Sequence, residues 1–210
     1  MLRLWLVFLF TVQIVSADTY SLRAAWGMAS KNDFGQILSG QSEVDDTGAS
    51  VVGMDAGWLW KKDFYDLPFD VYLKGGMYRF LEKGSYFANG QTYVQKNDFY
   101  EAVLYIKGYW NFDFLDNRVR LGVAEGISYA WGIPIVERIE ADENDDYNSN
   151  ALNYLEVSFD VDFGRLIQVE ALHETYLGYT LKHRSGVYGM INSVSRGGSN
   201  YNMVTVEKNF

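Results

Sequence analysis

A chain of 210 residues that is 48% hydrophobic and 17% aromatic would ordinarily build a large core, yet its mean hydropathy is −0.16, so the apolar residues are spread thinly. Acidic residues outnumber basic ones 27 to 18, for a formal net charge of −9, and the basic residues form no stripe that could neutralise phosphates, which argues against nucleic acid as a partner. The absence of cysteine excludes disulfide scaffolds, thiolate metal sites, a cysteine nucleophile and a cysteine-linked lipid anchor together.

Residues 1–17 carry one basic residue, Arg3, then an apolar run over 4–10 that fades through Gln13 to Ser16-Ala17 before Asp18. The run is shorter than the roughly 20 residues of a membrane-spanning helix and ends on small residues, so it reads as a cleaved signal peptide rather than a retained anchor. Residues 18–210 then form one domain in which apolar and polar residues alternate with period two. Eight such segments are predicted, at 20–29, 49–60, 69–80, 98–110, 119–131, 152–163, 168–185 and 200–210. In the second, Val52, Met54, Ala56, Trp58 and Trp60 share one face. In the sixth, Leu155, Val157, Phe159, Val161 and Phe163 oppose Glu156, Ser158, Asp160 and Asp162.

A soluble sandwich would also alternate, but the connections decide between the two readings. They run long (30–48), short (61–68), long (81–97), short (111–118), long (132–151), short (164–167) and long (186–199). Brief turns at one end and extended loops at the other are the pattern of an all-β, eight-stranded antiparallel up-and-down transmembrane barrel of the bacterial outer membrane. The alternating, aromatic-terminated ending 204–210 resembles the C-terminal signal read by the barrel-insertion machinery, with Lys208 where an aromatic is more usual.

Eight strands enclose a lumen just wide enough to be filled by side chains, so a diffusion pore is not expected. Arg23, Asp55, Lys74, Glu101, Lys107, Arg120, Glu156, Asp160, Glu170, Glu174 and Lys182 have inward parity and carry both signs, as a structural network would. The acidic run 140–146 reads as a solvated loop, because its irregular carboxylate spacing specifies no metal, although it could meet divalent cations that bridge lipopolysaccharide. No cofactor is implied.

The seventh segment carries the candidate chemistry. Its odd positions Val169, Ala171, Leu177, Tyr179 and Leu181 are mostly apolar, and that outward face continues into His183 and Ser185 before a long loop. Same-face neighbours in a strand lie about 6–7 Å apart at Cα, which allows an imidazole base beside a hydroxyl nucleophile. An interfacial histidine beside Tyr179 and Tyr188, with Ser185 merely starting the loop, is the plainer alternative. Asn200 and Asn202 share outward parity on the last segment, where an amide could serve as an oxyanion donor. His173, lower on the seventh segment, has no serine at the matching position.

At these residues, and through 122–130, Ile133-Pro134, Glu137, 183–186 and 197–201, the chain resembles the lipid A 3-O-deacylases of the PagL type. The resemblance implies His183 as base and Ser185 as nucleophile, cleaving an ester-linked acyl chain of lipid A in lipopolysaccharide without a metal. The family carries Asn directly after the serine and a Glu downstream of it to orient the histidine. Here Gly186 follows Ser185, and the only later carboxylate is Glu207 near the opposite end. Asn200, Glu137 from the third long loop, or Glu125 remain as orienting residues, the last of which would turn inward if a β-bulge reversed its parity. A non-catalytic barrel whose loops serve adhesion, envelope integrity or lipopolysaccharide contact is the alternative function, and a homodimer is possible for either.

Overall fold

The computed structural model describes residues 20–187, 189–195 and 198–210; the expected signal peptide lies outside them. Ten strands are formed: β1 (Tyr20–Ala29), β2 (Ser50–Lys61), β3 (Phe69–Leu81), β4 (Gly84–Ala88), β5 (Gln91–Gln95), β6 (Phe99–Phe114), β7 (Asn117–Ala130), β8 (Ala151–Asp162), β9 (Thr175–Ser185) and β10 (Gly198–Asn209). Eight of them close a barrel in the order β1-β2-β3-β6-β7-β8-β9-β10, each antiparallel to its neighbours, and β4 and β5 form a separate hairpin. Closure leaves no unpaired edge. The fold class expected from the alternation is therefore the one found. Among the described residues no helix is long and apolar enough to cross a membrane, which has no bearing on strands.

Alternation sorts the side chains as the pleat requires. Leu22, Met54, Leu73, Met77, Leu104, Ile106, Val123, Ile127 and Val204 are exposed on the outside. Toward the end that carries the termini this band is bordered by Tyr20, Trp58, Trp60, Trp110 and Phe112, and toward the long-loop end by Tyr100, Tyr129 and Trp131. Inside, Arg23 donates to Asp55 at 2.7 Å and to Glu156 at 2.6 Å, and Lys107 and Tyr154 also converge on Glu156. Toward the terminal end Lys74 pairs with Glu207 at 2.8 Å and the Arg120 guanidinium lies 3.4 Å from the Tyr176 ring centre. Toward the long-loop end Glu101 takes Lys182 at 3.0 Å and Arg184 at 3.3 Å. Buried ions of both signs satisfy one another, and truncating one partner would strand the other. These side chains need space, which inward-facing Gly53 supplies: a Cβ there would meet the Tyr78 ring at 2.2 Å.

The β6–β7 connection is tighter than expected, because both strands extend until only Leu115 and Asp116 remain, at φ 50° and 61° as a type I′ hairpin demands. The β8–β9 connection is longer. Residues 168–174, predicted as strand, instead form part of a folded turn: Asp162 caps a short helix (Phe163–Leu166), a 3₁₀ turn follows at Glu170–Leu172, and Gln168 and Glu174 adopt left-handed φ of 59°. Glu170 is consequently exposed and Glu174 half-buried, hydrogen-bonded to Tyr176, rather than both pointing into the lumen. His173 belongs to this turn as well, and its carbonyl accepts from Lys208.

The long loops are structured. A one-turn helix, Phe34–Leu38, lies between β1 and β2, and a helix of ten residues, Ile135–Asn144, lies between β7 and β8. The second of these, hereafter the mouth helix, caps the barrel: its first amide, Ile135 N, donates to Glu82 at 2.8 Å, and Glu82 also accepts from the Tyr201 hydroxyl at 2.9 Å. The acidic run is thus partly helical, with Ala141 buried, and is not a simple solvated loop.

Candidate functional site

β9 pairs with β8 and β10 without a break in register, which places Lys182 and Arg184 inside and His183 and Ser185 outside. Asn200 lies directly across from His183 on β10, and Asn153 lies directly across from Ser185 on β8. The outer face near the long-loop end therefore gathers an imidazole, a hydroxyl and two carboxamides from three adjacent strands.

The geometry orders part of this group. His183 Nδ1 lies 2.8 Å from Asn200 Oδ1, and Asn200 Nδ2 donates to the Asn32 carbonyl at 3.1 Å. The second bond fixes which way the amide points, so Oδ1 is the atom offered to the ring and Nδ1 must carry the proton. Nε2 is then left with its lone pair, the tautomer that a general base requires. Among the described residues no hydrogen bond joins His183 to Ser185. Free-state catalytic contacts are commonly looser than those made with substrate.

The β1–β2 loop crosses this surface. The Phe34 ring sits 4.9 Å from the His183 ring at 41°, and Ser42 accepts from Asn202 at 2.8 Å while Asn202 Oδ1 accepts from Tyr179 at 2.5 Å. Leu181 has outward parity between these anchor points and is only 3% exposed. His183 and Ser185, at the upper edge of the covered patch, are half-buried. Asn32, Phe34 and Ser42 carry no motif that a linear reading could have used; Asn153 was hidden only because its importance depends on the β8–β9 register.

The other sequence candidates fall elsewhere. Glu137 is on the lumen side of the mouth, 3.1 Å from Arg184 Nη1 and accepting from Ser199 at 2.6 Å, so the barrel wall separates it from His183. Glu125 keeps its outward parity, because β7 pairs with β6 and β8 without a register shift and no bulge turns it inward. It lies two strands from His183, with Leu155 between them in the lateral register, about 10 Å away at Cα. Glu207 is committed to Lys74 and Tyr109 in the lumen. Among the described residues no group of three or more His, Asp and Glu side chains is arranged to hold a metal ion.

No family model matches the chain, and no curated protein matches its sequence. Among solved structures it is similar to the outer membrane enzyme PagL, with a TM-score of 0.56 and 9% identity over 90% of this chain and 99% of that one. It is also similar to Neisserial surface protein A (NspA), with a TM-score of 0.49 and 13% identity over 92% of this chain and 98% of that one. At these identities the likeness is one of fold and transfers no catalytic residue.

Proposed function

We propose that this chain is an integral barrel of the bacterial outer membrane that hydrolyses an ester-linked acyl chain of lipid A on its lipid-facing surface. The bond of 2.8 Å between His183 Nδ1 and Asn200 Oδ1, on the outside of the barrel and beside Ser185, carries this reading. A soluble protein gains nothing from an exposed apolar band bordered by aromatic residues around an ion-filled interior, whereas a bilayer requires both. A polar pair facing lipid needs a purpose, and a substrate held in the membrane supplies one.

The residues act in a balanced sequence. Ser185 Oγ attacks the ester carbonyl as its proton passes to His183 Nε2, and the ring, now cationic, is held by Asn200 Oδ1 through Nδ1–H. The tetrahedral intermediate collapses when the bond to the glucosamine oxygen breaks and that oxygen takes the proton from Nε2. Water then attacks the acyl-serine, giving its proton to Nε2, and the departure of the fatty acid returns that proton to Ser185. Asn200 thus replaces the downstream carboxylate, as the Asn of a Cys-His-Asn site does.

A second reading, a non-catalytic barrel whose loops contact lipopolysaccharide, is favoured by the Phe34 ring lying tilted against His183, 4.9 Å between ring centres. Lipid A mass spectra from a lipopolysaccharide-bearing host decide between them. Wild type should yield a species lighter by one acyl chain, and Ser185→Ala should not. Identical spectra with correctly inserted wild-type protein would sink the esterase.

A further inference from the structure

The attack of the serine on an ester forms a tetrahedral intermediate with negative charge on the former carbonyl oxygen, and that charge needs a donor close to the serine. The residue after Ser185 is Gly186, which has no side chain to offer, and Asn200 is occupied by His183 and Asn32. Asn153 meets the requirement from another strand. It is the β8 residue directly opposite Ser185, on the same outward face as Ala151, Leu155 and Val157. Opposed residues in an antiparallel pair have Cβ atoms about 4.5–5.5 Å apart, within reach of one substrate carbonyl held between them.

The state of this side chain also points to a ligand. Asn153 is only 9% exposed, and among the described residues its carboxamide makes no hydrogen bond. Its amide atoms are not among the buried polar atoms left without a partner, so they keep access to the surface and the Nδ2 protons are free for a bound oxygen. Its immediate surroundings are nevertheless well ordered. Asn192, from the β9–β10 connection, donates to the Ala151 carbonyl at 2.7 Å and to Ser149 Oγ at 2.9 Å, pinning the start of β8 beside it.

We propose that Asn153 Nδ2 is the oxyanion donor of the site, contributed across the sheet from β8 rather than by the residue following the nucleophile. The proposal rests on the esterase reading and names a catalytic residue for it. The donor would act on the oxygen only as charge develops, so its removal should lower kcat and leave KM nearly unchanged.

The test uses the full-length barrel in mixed micelles with lipid A bearing ester-linked acyl chains, and follows the released fatty acid. Asn153→Ala should reduce kcat about 10²-fold or more with KM within about 2-fold. Asn153→Asp keeps the shape, removes the donor and adds repulsion, and should be at least as slow. Asn153→Gln should recover part of the loss. Resistance of each folded barrel to unfolding in cold dodecyl sulfate confirms that the variants are assembled. Should Asn153→Ala turn over within about 3-fold of a wild type whose activity requires Ser185, the assignment of Asn153 is overturned and the esterase stands. Should wild type and Ser185→Ala release fatty acid equally slowly, both readings fall together.

Discussion

At the scale of single residues, Asn200 is the departure with the most informative chemistry. A carboxamide orients His183 through Nδ1 but contributes no charge to the ring. Asn200→Asp would add an anion at hydrogen-bonding distance, and an opposite charge that close favours the imidazolium. The acid limb of the kcat/KM profile should therefore move to higher pH in Asn200→Asp, whereas Asn200→Ala should lose on the order of 10²-fold in kcat. A pH profile for Asn200→Asp that superimposes on wild type would show that Asn200 does not position the base. His183, Ser185 and Asn200 were legible because parity alone fixes which side of a strand a residue faces. Asn153, Asn32 and Phe34 were not, since each meets the site through strand register or a loop path, neither of which leaves a periodic trace.

At the scale of elements, the strands and the long-short alternation of their connections followed from period-two patterning, and the exceptions have local causes. Residues 168–174 alternate in composition, yet Gly164 packs so closely on the Leu172 carbonyl carbon that a Cβ would approach it to 2.0 Å, and this contact folds the segment back as a turn. The mouth helix was invisible as an element because its acidic run resembles a solvated loop, while its attachment comes from Glu82, 53 residues before Ile135 in another connection. That attachment is pH-dependent. Burial raises the Glu82 carboxyl from 4.5 to about 7, against the opposing hydrogen bonds from Ile135 and Tyr201. Burial, with Asp33 and Glu137 nearby, likewise raises Glu140 to about 7. Because the folded form holds these protons more tightly than the unfolded one, stability is fully present below about 4.5 and is lost as pH rises through about 7. Amide exchange across Ile135–Asn144, corrected for its intrinsic pH dependence, should be better protected at pH 5 than at pH 8, with a smaller difference in Glu82→Gln. Equal protection at both values would contradict this coupling.

At the scale of the whole molecule, the thin spread of apolar residues is explained by an inverted arrangement, with the apolar half outside and ions such as Arg23, Lys107 and Glu156 buried inside. Among the described residues the lumen is filled by paired ions, and the proposed esterase reaction is accordingly assigned to the outer wall, where the bilayer would supply its substrate. For the proposed esterase, Ser185 must be an activated nucleophile on a surface that lipids reach. A long-chain alkyl fluorophosphonate, which partitions into micelles and reacts with activated serines, tests this by the intact mass of the folded protein. One adduct should form, map to Ser185, and disappear in both Ser185→Ala and His183→Ala. No adduct on the wild type, or one that forms equally fast in His183→Ala, would contradict it.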